Sequence, residues 1–171
     1  MAPARKDVLR NGLYALRWYA LALLIILLDQ YTKDVASSSL EYARPVQVFS
    51  WFNLTLQHNT GAAFSFLSDA GGWQRYFFSI VAIVISAALV VWLYLAPRSQ
   101  WLLTLALAMI LGGALGNLWD RLALGYVVDF ISVHYREHYF PAFNIADSAI
   151  TVGAACMLID SFLAGRGQHN Q

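Results

Sequence analysis

The sequence predicts an all-α polytopic membrane protein built on four transmembrane helices. Three observations predict it. Of 171 residues, 59% are hydrophobic and only 12% are charged, against about 25% charged in a soluble domain. A chain so poor in charge cannot cover a globule with a wetted surface. Mean hydropathy is +0.53. Apolar runs also recur at the length of about 20 residues that crosses the hydrocarbon core of a bilayer.

The first span is expected from about Leu13 to Tyr31, behind the basic residues Arg5, Lys6 and Arg10. Arg17, Trp18 and Tyr19 suit the headgroup region. Taken alone, this segment also fits a secretory signal peptide, with small residues at Ala36 to Ser39. Asp29, Lys33 and Asp34 crowd that cleavage region and argue against it. The second span, Tyr76 to Leu95, is uncharged and stops at Pro97-Arg98. The third, Trp101 to Trp119, is uncharged and stops at Asp120-Arg121. The short turn between them makes these two helices antiparallel neighbours. The fourth runs from Ile145 to Leu163. All four belong to a single membrane domain spanning residues 1–171.

Two longer connections remain, about 32–75 and 120–144. The alternation from Val46 to Leu56 has the period of a β-strand, and Val127-Val128 and Phe130-Ile131 are further strand-like residues. Basic residues are denser in the ends and the short turn than in the long connections, which puts both termini in the cytoplasm. The balance of 11 basic and 10 acidic residues gives no polyanion signal, so nucleic acid is excluded as a partner. A single cysteine, Cys156, excludes an internal disulfide framework and reads as a small buried packing residue.

His134-Tyr135-Arg136-Glu137-His138 spells H-x-x-E-H. The zinc version of that motif needs a helix and a further acidic ligand, and no glutamate follows Glu137. A solvated loop with two surface histidines is the plainer reading. No G-x-S-x-G is present for a serine nucleophile. Thr104, Ala108, Gly112 and Gly116 form a small-residue stripe on the third span. It admits a neighbouring helix within the chain or marks a homodimer face; a monomer is the expectation.

With ten carboxylates in the chain, each can be weighed singly. Most lie in tails or loops, Asp29 has Lys33 at i+4, and Asp120 has Arg121 beside it. Asp129 is apolar on both sides, and Asp147 stands at the mouth of the fourth span. Carboxylates in such surroundings are costly and point to function. Two carboxylates brought together share one proton, which is the arrangement of an acid–base pair. The ionised member activates water and the protonated member supplies an acid, with no metal or cofactor required. A helix N-terminus favours the charged form of Asp147, which makes it the base. The alternatives are that Asp147 only caps its helix with Asn144 and that Asp129 pairs with Arg121. A proton-coupled transporter or assembly factor is the competing function, and it calls for polar residues through the whole bundle.

Five blocks, Asp29-Gln30-Tyr31-Thr32-Lys33, Asn59-Thr60-Gly61-Ala62-Ala63-Phe64, Gly116-Asn117-Leu118-Trp119-Asp120-Arg121, Val127-Val128-Asp129-Phe130 and Phe143-Asn144-Ile145-Ala146-Asp147-Ser148, stand in one order along the chain. Together they resemble the bacterial lipoprotein signal peptidases of type II. That resemblance implies an aspartic endopeptidase of the bacterial inner membrane. It would cut the signal peptide from a prolipoprotein just before a diacylglyceryl-modified cysteine. It implies catalytic roles for Asp129 and Asp147. It implies supporting or substrate-binding roles for Asp29, Lys33, Asn59, Gly61, Asn117, Arg121, Asn144 and Ala146. It further implies a small outer, periplasmic β-like cradle, contact with membrane lipid, and inhibition by globomycin-type compounds.

Overall fold

The computed structural model describes residues 9–61 and 73–169, with 164–169 by backbone alone. Ala62, Ala63 and Phe64 of the second block lie outside the described residues, as do Arg5, Lys6 and Asp69. The architecture is mostly helical, with four helices long and apolar enough to cross a membrane and a small antiparallel sheet. The helices are α1 (Leu16–Ser39), α2 (Trp73–Leu95), α3 (Trp101–Ala123) and α4 (Ile145–His169). Helix α1 runs two turns past the expected end at Tyr31, because Asp29 and Lys33 find buried partners inside the fold and need not reach water.

Helix α3 is the hub and packs against α1, α2 and α4. Its stripe of small residues explains why. A Cβ on Gly112 would lie 2.8 Å from the Ala22 carbonyl oxygen of α1. One on Gly113 would collide with the Ala146 carbonyl oxygen of α4. The stripe therefore serves packing within the chain. Deeper in the bundle Leu89, Leu93, Leu103, Leu107 and Leu111 close the core. Large apolar side chains such as Leu24, Ile80, Val84, Leu158 and Phe162 point outwards, the inverse of a soluble surface and suited to lipid. Cys156 on α4 is half-buried rather than buried. Buried Asn11 donates to the Leu93 carbonyl at 3.1 Å, and the Arg98 guanidinium sits 3.6 Å over the Tyr14 ring. These contacts latch the segment before α1 to the end of α2 and the α2–α3 turn.

The sheet has four strands in sequence order: β1 (Val46–Phe49), β2 (Phe52–Asn59), β3 (Val127–Tyr135) and β4 (His138–Tyr139). The β2–β3 register shifts between Leu54 and Gln57. Beyond that shift Gln57 faces Asp129, and His58 faces Val128. Gly125, at φ +90°, ends α3 in the left-handed region that favours glycine and turns the chain into β3. Strand β3 is buried from Val127 to Phe130, as its run of β-branched and aromatic residues suits.

Candidate active site

The site lies where the C-terminal ends of α1 and α3, strand β3 and the first turn of α4 converge. Asn144 organises it. Its side-chain amide donates to Asp129 Oδ1 at 2.8 Å. Its side-chain carbonyl accepts the Asp147 backbone N–H at 2.9 Å, and Asp147 Oδ2 accepts the Asn144 N–H at 3.3 Å. This reciprocal cap closes the start of α4. It also holds both aspartates on one side chain. The capping reading of Asp147 and the paired-carboxylate reading are therefore compatible.

Asp129 is buried and Asp147 half-buried. The Asn59 amide, on the strand beside β3, donates to Asp129 Oδ2 at 3.0 Å. The Asn59 carbonyl in turn accepts the Gly61 N–H at 2.8 Å. Gly61 has φ +99°, and a Cβ there would strike the Phe78 ring. Burial pushes the Asp129 carboxyl up to about 7, the Asn59 and Asn144 amides pull it down, and the charge of Asp147 adds to the rise. On the other side, the Asn117 amide donates to Asp147 Oδ1 at 2.7 Å. Arg121 donates to the Asn117 carbonyl oxygen at 3.3 Å and lies over the Phe78 ring. No ion pair joins Arg121 to Asp129 among the described residues.

Two cavities reach the aspartates. One, of about 430 Å³, is largely apolar and is lined by Phe140, Phe143, Asp147, Ser148 and Val152 among others. The other, of about 200 Å³, is lined by Gln57, His58, Asn59, Thr60 and Asp129. Both share Pro141 and Ala142 as a wall.

Behind the aspartates sits a buried charged cluster. Lys33 lies 2.7 Å from Asp29 Oδ2 and 2.9 Å from Asp120 Oδ2. Its ammonium also donates to Asn117 Oδ1 at 3.0 Å. Gln30 donates to Asp120 Oδ1 at 2.8 Å. Asp120 thus pairs across helices with Lys33, not with its neighbour Arg121. Asp120 and Gln30 were absent from the sequence-derived set. Helical spacing carried the signal: Gly116, Asn117 and Asp120 fall on one face of α3, as do Asp29 and Lys33 on α1. Ala146 joins through its backbone, donating to Asp29 Oδ1 at 2.9 Å.

The H-x-x-E-H segment is a tight hairpin, not a helix. Arg136 takes φ +53° in its turn, and His134 pairs with Tyr139 while Tyr135 pairs with His138. Adjacent rungs place the two histidines on opposite faces. The polar path that a transporter needs meets the leucine core of the bundle below Gly116.

A profile for signal peptidase (SPase) II matches residues 21–163. A lipoprotein signal peptidase of Teredinibacter turnerae is 59% identical over 151 residues, covering 88% of this chain and 90% of that protein. One from Acinetobacter baumannii is 57% identical over 159 residues, covering 93% and 90%. A solved structure described as a bacterial membrane enzyme superposes with a TM-score of 0.77 at 31% identity, covering 89% of this chain and 90% of that one. With its four apolar helices, the chain is a multi-pass membrane protein, and it belongs to the signal peptidase II family, the lipoprotein signal peptidases.

Proposed function

We propose that the chain is an aspartic endopeptidase that frees diacylglyceryl-modified prolipoproteins from their signal peptides, cutting just before the modified cysteine. The observation that carries this reading is the grip of one residue, Asn144, on both Asp129 and Asp147. Two carboxylates held this way divide the work of acid and base. Asp147, reached from the larger cavity, takes a proton from water as the water oxygen attacks the scissile carbonyl carbon. Asp129, raised to about 7 by burial, gives its proton to the carbonyl oxygen. The tetrahedral diol then collapses. Asp147 passes its proton to the departing nitrogen, Asp129 takes one back from a hydroxyl, and the C–N bond breaks. The pair is restored to its starting state.

The apolar cavity beside Asp147 suits an apolar peptide segment entering from the bilayer. Its aromatic wall shields the bond from bulk water. In this reading the protein is a monomer of the bacterial inner membrane. Both termini are cytoplasmic and the sheet forms a periplasmic cradle. Globomycin-type inhibitors occupy the aspartate pair. The reading is tested by incubating purified protein with a precursor peptide bearing a diacylglyceryl cysteine and with its unmodified twin. Mass spectrometry should find one cut, leaving the modified cysteine at the new N-terminus, and none in the twin. Equal cutting of both, or a cut elsewhere, contradicts it.

A further inference from the structure

Two backbone N–H groups immediately precede the two aspartates in sequence, and each is held by a carboxylate of the buried cluster. Ala146 N–H, one residue before Asp147, donates to Asp29 Oδ1 at 2.9 Å. Val128 N–H, one residue before Asp129, donates to Asp120 Oδ2 at 3.0 Å. Lys33 then bridges the two carboxylates, at 2.7 Å and 2.9 Å. All three side chains are almost fully buried, at 0%, 3% and 2% exposure for Asp29, Lys33 and Asp120. The path from Ala146 through Asp29, Lys33 and Asp120 to Val128 is an unbroken chain of short polar contacts. It runs from the start of α4 to the start of β3.

We propose that the Asp29–Lys33–Asp120 triplet is a caliper that sets the separation of Asp129 and Asp147, making Lys33 and Asp120 positioning residues for the reaction. The inference rests on the aspartic reading above. Its physical basis is twofold. Replacing a buried ion network by apolar side chains of similar volume is often neutral for stability, so stability alone gives weak reason for three buried charges. What such a network supplies is geometry: each carboxylate accepts one particular backbone N–H, and one ammonium fixes the carboxylates to each other. Asn144 links the two aspartates from the front, while the triplet holds their backbones from behind. A shift of about 1 Å in a reacting group is enough to cost about 10²-fold in rate. Neither Lys33 nor Asp120 needs to touch substrate for this role.

The test measures kcat and KM on the modified precursor, per folded protein counted by gel filtration and thermal unfolding. Asp120→Val keeps the volume and removes the acceptor for Val128 N–H. Lys33→Met with Asp120→Asn removes one positive and one negative charge together, so the net charge of the cluster is kept and a second variant is at hand if Asp120→Val does not fold. Both should lose at least tenfold in kcat with KM within threefold of wild type. Lys33→Arg, still a donor to both carboxylates, should keep most of the wild-type kcat. Asp34→Asn, one position along α1 and outside the triplet, should leave kcat unchanged. Wild-type kcat per folded molecule in either triplet variant overturns the caliper, and so does a loss confined to KM. An active Asp129→Asn control would instead overturn the aspartic reading itself. The two failures are therefore distinguishable.

Discussion

Asn144 donates its amide to Asp129 across 2.8 Å while its own carbonyl caps the helix that begins with Asp147. One side chain thus performs two jobs that conflict in most substitutions. Asn144→Asp keeps the cap but puts a third carboxylate against Asp129. Asn144→Ala loses both contacts. Both variants should lose about 10²-fold in kcat, the scale of a misplaced reacting group. Steady-state kinetics on the modified precursor check this. Asn144→Ala should also lower stability by about 1 kcal/mol, the usual value of an N-cap.

Asp129 makes activity depend on pH with a definite sign. In the proposed step it must hold a proton, and burial lifts its carboxyl to about 7. The rate should therefore fall as pH rises through about 7. The Asn59 amide favours the ionised form, so Asn59→Ala should move that limb to higher pH. A limb that moves down would contradict the assignment. The profile of kcat/KM against pH reads it directly.

The same shift has a consequence for stability. Below about 4 both folded and unfolded chains keep the Asp129 proton. As pH rises from there to about 7, the unfolded chain releases it first, at its ordinary value of 3.8, and stability is lost. Asp129→Asn carries no charge at any pH. Its melting temperature should therefore gain on wild type as pH is raised from about 5 to about 8. Thermal unfolding in detergent at the two values measures the difference.

Close approach of helices is the third vulnerable feature. A Cβ at position 112 would lie 2.9 Å from Ile25 Cβ, and one at position 116 would lie 2.7 Å from Asp29 Oδ2. Both Gly112→Ala and Gly116→Ala should destabilise by about 1–3 kcal/mol through overpacking. Gly116→Ala should also lower activity, because the atom it displaces belongs to the buried cluster. Gly112→Ala should lower stability alone.

How much of this was legible in the sequence differs from element to element. The four spans were readable because lipid demands long apolar runs, and Tyr76 to Leu95 and Trp101 to Trp119 offer them without a single charge. Strand structure was readable in the alternation from Val46 to Leu56, but the turn at Ser50-Trp51 that splits it into β1 and β2 was not. The end of α1 was not, because Lys33 and Asp34 look like a membrane edge. Only the fold reveals that Lys33 is neutralised by two carboxylates from different helices. Asp120 was misread for a related reason. Its neighbour Arg121 supplies an obvious partner in sequence, but adjacent helical residues point about 100° apart, and the true partner lies on another helix. Asp129 and Asp147 stood out because the chain has few carboxylates and these two had no local partner. The residue that joins them, Asn144, looked like an ordinary cap until β3 was seen beside it.

The most direct test of the aspartic mechanism is cleavage of a diacylglyceryl-modified precursor by purified wild type, Asp129→Asn and Asp147→Asn, each shown to be folded by thermal unfolding. Wild type should release the signal peptide, and neither variant should release it above the background of a no-enzyme control. Release by either folded variant at a rate near that of wild type would contradict the account.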